Sequence, residues 1–325
     1  MDLIKLAEKK AKQNNVKLVV CESWDEKCMH AVSMILKEKL AKVILLGNPD
    51  KIKKTAEKLK ADISKAEIVD FKKSELRKQL AEKLYELRKH KGIDLKQAEK
   101  LMDNINYFAC MYAYAGYADA VAGSAICSTA EFMKPALQIL RKKNTLVSEV
   151  TVLDDVKNNR ILFAGDFSLN IDPNAEQLAS IALNTAECAE TFETKPKIAL
   201  LSFSTKGSGG DLDMFKPIRK AVEIIRKNNP KIIVDGELQL DAALDKFAAK
   251  KKCPDSPIKG DANVLIFPNL TASNIFAHAL LQLTDVKMIF TMLMGMQKPV
   301  IVLGRSTPAE VKRNMMLGCI VEAIK

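Results

Sequence analysis

The chain has 325 residues, 48% of them apolar, which suits about two domains with sizeable cores and excludes a disordered chain. Lys and Arg number 51 against 40 Asp and Glu, a net charge of +11. Only eight of those cations are Arg and aromatics make up 6%, so no basic, aromatic-interleaved stretch of the kind that binds nucleic acid is present.

The opening residues read as a charged amphipathic helix and not as a secretory signal. Strands are expected at 17–21 and 42–46, with an amphipathic helix over 25–39 between them. From Lys51 to Lys73 the lysines fall at helical spacing with acids between, the pattern of a solvated face. A helix follows over 73–90. Residues 107–127 carry one charge, Asp119, and read as a buried helix leading to a core strand at 119–122; the next helix covers 130–140. Two apolar runs at 146–153 and 160–164, joined by polar residues 154–159, signal an antiparallel hairpin and a domain junction. Beyond it come helix 175–192, strand 197–202, helix 212–228, strand 231–234, helix 238–250, strand 263–267 and strand 300–303. Residues 288–296 are apolar but too short to span a membrane. Strands alternating with helices argue for parallel α/β units, and the hairpin for a mixed sheet.

Seven cysteines, without CxxC or Cys/His ligand spacing, fit free thiols in a reducing compartment, and so a cytoplasmic location. His30, His90 and His278 are far apart in sequence, which offers neither a zinc site nor a Ser/His/Asp triad. Cys127 is a conceivable nucleophile, though nothing local would favour its thiolate.

Polar and glycine residues gather just after the strands: Glu22-Ser23, Gly123-Ser124, residues 204–210, residues 235–237, Pro268-Asn269 and residues 304–307. The carboxyl ends of strands line the ligand crevice in open α/β sheets. The 204–210 loop (STKGSGG) offers hydroxyls, a lysine and glycine-freed amides, which suit an anionic oxygen group but do not form a P-loop. Ser128 and Thr129 open a helix, either as a cap or as an anion site with Lys134 one turn on. Cations at 88–91 close another helix.

Several of these segments resemble the phosphate acetyltransferase (phosphotransacetylase) group of the phosphate acetyl/butyryl transferase family. They are 43–49 (VILLGNP), 85–92 (YELRKHKG), 106–108 (NYF), 123–130 (GSAICSTA), 134–139 (KPALQI), 175–179 (AEQLA), 202–209 (SFSTKGSG), 235–243 (DGELQLDAA) and 262–268 (ANVLIFP). The resemblance implies an isocitrate/isopropylmalate-dehydrogenase-like architecture: three-layer αβα domains with mixed sheets and a cleft between the domains. Residues 1–147 with 297–325 would form the first domain and 148–296 an inserted second one carrying the dimer contacts. It also implies reversible acetyl transfer between acetyl-CoA and inorganic phosphate in a homodimeric enzyme of acetate metabolism. CoA is then a substrate and not a cofactor, no metal takes part, and neither nucleic acid nor membrane is a partner.

By the same resemblance Arg305, Glu310 and Ser306 are the catalytic candidates, Arg305 for phosphate charge and Glu310 as base. Arg88, Ser128, Thr129, Lys134, Ser204, Thr205, Lys206, Ser208, Asp235, Glu237 and Asn274 are the substrate-binding ones. The chain departs from the family pattern at Lys134, where the family has Arg, and at Gly304, where it has Ser. Ser306 or Thr307 is the expected substitute for that hydroxyl. A paralogue that binds CoA or an acyl phosphate without turnover, and transfer of a longer acyl group such as butyryl, are the alternatives.

Overall fold

The computed structural model describes residues 2–324. The chain divides into two compact units, one made of Asp2–Lys143 with the segment from Met296 onward, the other of Asn144–Gly295. In chain order the first run is α1 (Leu3–Lys12), β1 (Lys17–Val20), α2 (Glu26–Lys37), β2 (Lys42–Leu46), α3 (Pro49–Lys58), β3 (Glu67–Val69), α4 (Leu76–Arg88), α5 (Leu95–Leu101), α6 (Ile105–Tyr114), β4 (Ala120–Gly123) and α7 (Thr129–Ile139). The second run is β5 (Ser148–Asp155), β6 (Arg160–Gly165), α8 (Ala175–Thr191), β7 (Lys197–Leu201), α9 (Lys216–Asn228), β8 (Ile233–Leu238), α10 (Leu240–Leu244), α11 (Lys246–Lys252), β9 (Val264–Ile266), α12 (Leu270–Leu283) and β10 (Lys287–Met294). β11 (Val300–Val302) and α13 (Ala309–Glu322) close the chain.

The split unit holds a five-stranded sheet in the order β11-β4-β1-β2-β3, parallel throughout. Buried apolar residues fill β1, β2 and β4, as expected of strands covered on both faces. α13 is tied down by buried cations. Lys312 is fully buried with its Nζ 3.0 Å from Asp25 Oδ1, and Arg313 pairs with Glu8 and Glu38. These pairs fix the last helix to α1 and α2.

The second unit holds a six-stranded sheet in the order β10-β5-β6-β9-β7-β8. β10, β5 and β6 pair antiparallel, and the rest parallel. The α/β class is as the sequence implied, with mixed pairing confined to this sheet. Residues 238–250 correct the expectation of one helix: β8 runs on to Leu238, and two short helices follow, broken at Asp245. The apolar run read over 288–296 falls largely in the antiparallel edge strand β10. Among the described residues no helix is long and apolar enough to cross a membrane.

Candidate functional site

In the split unit the carboxyl ends of β1, β4 and β11 are neighbours, because β4 lies between the other two strands. The loop after β4 is held from below by Glu22. That carboxylate is 4% exposed and accepts from the backbone N–H of Ile126 (2.8 Å) and of Cys127 (2.7 Å). Charge-assisted bonds to two amides fix the loop more firmly than neutral ones would. Gly123 is needed at the strand end, since a Cβ there would lie 2.3 Å from the Phe132 ring.

Ser128 then caps α7. Its Oγ accepts from the Glu131 N–H at 3.3 Å, and the Glu131 carboxylate accepts from the Ser128 N–H and Oγ–H, both at 2.7 Å. This is a full capping box, so Ser128 and Thr129 serve the helix first. The Glu131 carboxyl is lowered by its Ser128 bonds and further by the charge of Arg305. Arg305 therefore stands near the start of α7. It is exposed, and among the described residues no carboxylate comes within ion-pair distance of it.

The turn carrying Arg305 is shaped by Gly304, whose φ of +62° suits glycine. A Cβ at that position would meet Thr307 Oγ1 at 2.7 Å. The Thr307 hydroxyl thus occupies the space next to residue 304, while Ser306 is exposed and its carbonyl accepts from Lys27 Nζ (3.2 Å). Of the two substitutes for the missing hydroxyl, the geometry favours Thr307. Glu310 lies exposed in the first turn of α13, where its charge complements the helix dipole.

Arg88 and Lys134 are brought together. With Lys91 and Lys100 they line a cavity of about 500 Å³ that has no acidic residue in its wall. Tyr107 and Gln138 also line it, joined by a 2.8 Å hydrogen bond from the tyrosine hydroxyl. Burial raises the Tyr107 phenol, opposed by the nearby Arg88 charge. Four cations without a countercharge in the wall give this cavity a positive field of the kind that attracts anions.

The surroundings of Cys127 favour its thiol form. Desolvation, then the Glu22 charge, push it up to about 11. Its Sγ accepts from Asn106 Nδ2 at 3.6 Å, a long and weak contact. All seven cysteines are free, and among the described residues no group of three or more His, Cys, Asp or Glu is placed to hold a metal ion.

The remaining candidates sit in the second unit, where Ser204, Thr205, Lys206, Ser208, Asp235 and Glu237 form one network. Glu237 is 1% exposed and is gripped by Arg219 Nε (2.8 Å) and Nη2 (3.0 Å), by the Gly207 N–H (2.8 Å) and by Ser204 Oγ (3.2 Å). Burial would raise this carboxyl, but the Arg219 bonds and backbone amides hold it at about 2. Asp235 is buried between Lys206 Nζ and Arg226 Nη2. The loop is not the open cradle expected. The amides of Thr205, Ser208, Gly209 and Gly210 bond within the loop, and Lys206 N–H donates to the Glu237 carbonyl. The protein's own carboxylates take the Gly207 amide, the Ser204 hydroxyl and the Lys206 ammonium. Asn274 stands apart on α12, its Nδ2 3.4 Å from the Phe167 carbonyl.

The sequence model described as Phosphate acetyl/butaryl transferase matches residues 2–319, nearly the whole chain. The chain belongs to that family. Within the phosphate acetyl/butaryl transferases it is similar to the phosphate acetyltransferase of Thermoanaerobacterium thermosaccharolyticum, 43% identical over 314 residues that make up 94% of each chain. It is also similar to that of Clostridium acetobutylicum, 38% identical over 99% of both chains. Among solved structures of the family, a phosphotransacetylase from Streptococcus pyogenes matches with a TM-score of 0.94 at 35% identity, over 99% of this chain and 98% of the other. The EutD phosphotransacetylase from Staphylococcus aureus matches at 0.92 and 34% identity, with the same coverage.

Proposed function

We propose that this chain is an acyltransferase that moves an acetyl group reversibly between CoA and inorganic phosphate. The observation that carries the reading is the family match over residues 2–319, joined to relatives named phosphate acetyltransferase at 34–43% identity. In the forward step the CoA sulfur attacks the acetyl carbonyl carbon of acetyl phosphate. A C–S bond forms, the C–O bond to phosphate breaks, and phosphate leaves carrying the bonding electrons. The thiol proton passes to a base, for which Glu310 is the assignment.

Arg305 is assigned to the phosphate. A guanidinium without an intramolecular partner can grip two phosphate oxygens and stabilise the charge that grows as the C–O bond breaks. Thr307 supplies the hydroxyl beside Gly304. The cavity of Arg88, Lys91, Lys100 and Lys134 suits the phosphates of CoA. Free thiols throughout are consistent with the cytoplasm. A homodimer built on the second unit is supported by the exposed apolar side chains of Ile171, Phe203, Phe247, Ile275 and Leu283.

The test is formation of acetyl-CoA by purified protein from acetyl phosphate and CoA, repeated with butyryl phosphate. Turnover at background with acetyl phosphate, alongside calorimetric CoA binding, would replace the reading with that of a non-catalytic binder. Faster butyryl transfer would move the acyl specificity. Sedimentation of the native chain as a monomer would remove the dimer.

A further inference from the structure

A second cavity, about 700 Å³, opens in the split unit beyond the carboxyl ends of β2 and β3. None of its lining residues belongs to the Arg305 turn, the Glu22-anchored loop or the Arg88 cavity. Its wall combines two chemistries. Trp24 lies on one side, 42% exposed in a chain where most large apolar side chains of this unit are buried. Lys51 and Lys54 reach in from α3, and Lys72 and Lys73 from the turn after β3.

Among the described residues none of these four lysines is in an ion pair, whereas Lys5, Lys89, Lys197, Lys216, Lys220, Lys252 and Lys298 all are. The wall's one acid, Asp70, already accepts from the Lys72 N–H at 3.1 Å. The start of α3 is capped by Asn48, which takes the Lys51 N–H at 3.0 Å, so the cations and not the helix end are the feature that stands unanswered. Gathering like charges costs energy unless a ligand repays it. An indole face next to ammoniums is the pairing that holds a base by stacking and its phosphates by charge.

The geometry points to a nucleoside diphosphate site here, with the base on Trp24 and the phosphates on Lys51, Lys54, Lys72 and Lys73. The position agrees with the general placement of ligands outside the carboxyl ends of parallel strands, and the volume lies within the usual range for small-molecule pockets. The same chemistry could come from a free nucleotide or from the nucleotide end of CoA.

Trp24 is the only tryptophan of the chain, so its emission reports this pocket directly. The full chain is titrated with ADP, pyrophosphate and CoA. ADP is expected to change the Trp24 emission saturably, and pyrophosphate to bind more weakly because it lacks a base. A Lys51→Glu/Lys73→Glu variant should raise the half-saturating ADP concentration at least about tenfold, since reversing two phosphate-binding charges removes more than one charge-assisted contact. Its far-UV circular dichroism and its acetyl-transfer rate at saturating CoA should not change. In Trp24→Ala, followed by equilibrium dialysis, ADP should weaken by about tenfold and pyrophosphate hardly at all, the loss expected of one stacked base. If CoA matches ADP and the double variant raises the KM for CoA, the site takes the substrate's nucleotide end; if CoA does not displace ADP, it takes a free nucleotide. Absence of a saturable ADP response, or ADP binding that both variants leave intact, would overturn the assignment.

Discussion

Replacing Glu237 with Gln tests whether the STKGSG loop is held by a buried charge. Glu237 is nearly sealed from solvent, and its carboxyl sits at about 2 against an ordinary 4.5, held down by Arg219 and the loop amides against the opposing effect of burial. A displacement of that size corresponds to about 3 kcal/mol of folded-state stability. Arg219 is 38% exposed, so solvent screening reduces the usable part to about 2 kcal/mol. The carboxyl is depressed on folding, so its contribution is complete above pH 4.5 and drains away as pH falls toward 2. Gln keeps the shape and can still accept from Ser204 and Gly207 but leaves Arg219 only the exposed Asp211, 3.6 Å away. Urea unfolding followed by far-UV circular dichroism should show Glu237→Gln less stable by about 2 kcal/mol at neutral pH. Below pH 4.5 the gap between the two proteins should narrow. Two curves separated by the same amount at every pH, or not separated at neutral pH, would refute the charge-based account.

Arg305→Ala should lower acetyl-CoA formation by about two to three decades without moving the unfolding transition, and Arg305→Lys should recover only part of it because the bidentate grip is lost; a rate equal to the parent's would remove Arg305 from the reaction. Asp25→Ala should destabilise the split unit by about 3–5 kcal/mol, since it strands the buried Lys312 ammonium and also removes the cap of α2, and Lys312→Met in the same chain should restore much of that in thermal melts. Iodoacetamide should label Cys127 slowly at neutral pH and faster as pH climbs toward 11, because the raised thiol stays protonated until then; rapid labelling at neutral pH would contradict the effect of its half-buried place beside Glu22. Thr307→Val should reduce acetyl transfer while Ser306→Ala should not, a contrast read in the same coupled assay.

The parallel half of the fold was legible because its strands are short apolar runs such as 43–46, buried on both faces and set apart by helices that include the capped α2 and α3. Legibility failed where burial depends on pairing and not on apolarity. β8 runs through Asp235, Gly236 and Glu237, residues that disfavour a strand, and their charges are tolerated inside only because Lys206, Arg219 and Arg226 come to them from other elements. A helix over 238–250 was the natural reading of such a segment. α12 was missed for the opposite reason: it is apolar nearly all round, with Ile275 and Leu283 left exposed, so no amphipathic stripe marks it.

The same distinction separates what could and could not be read of the site. Arg88, Lys134 and Arg305 stand in motifs that mark them in the sequence, and among the described residues none of the three is in an ion pair. Glu22 carried no such mark, because its partners Ile126 and Cys127 stand 104 and 105 residues further along the chain. Nor could the sequence tell that the Ser204 hydroxyl and the Gly207 amide answer to Glu237, with the other loop amides bonded inside the loop. A glycine-rich loop that cradles a ligand and one that cradles its own carboxylate have the same composition, and only the buried anion decides between them. In this loop the buried anion is the protein's own Glu237, which takes the Gly207 amide and the Ser204 hydroxyl.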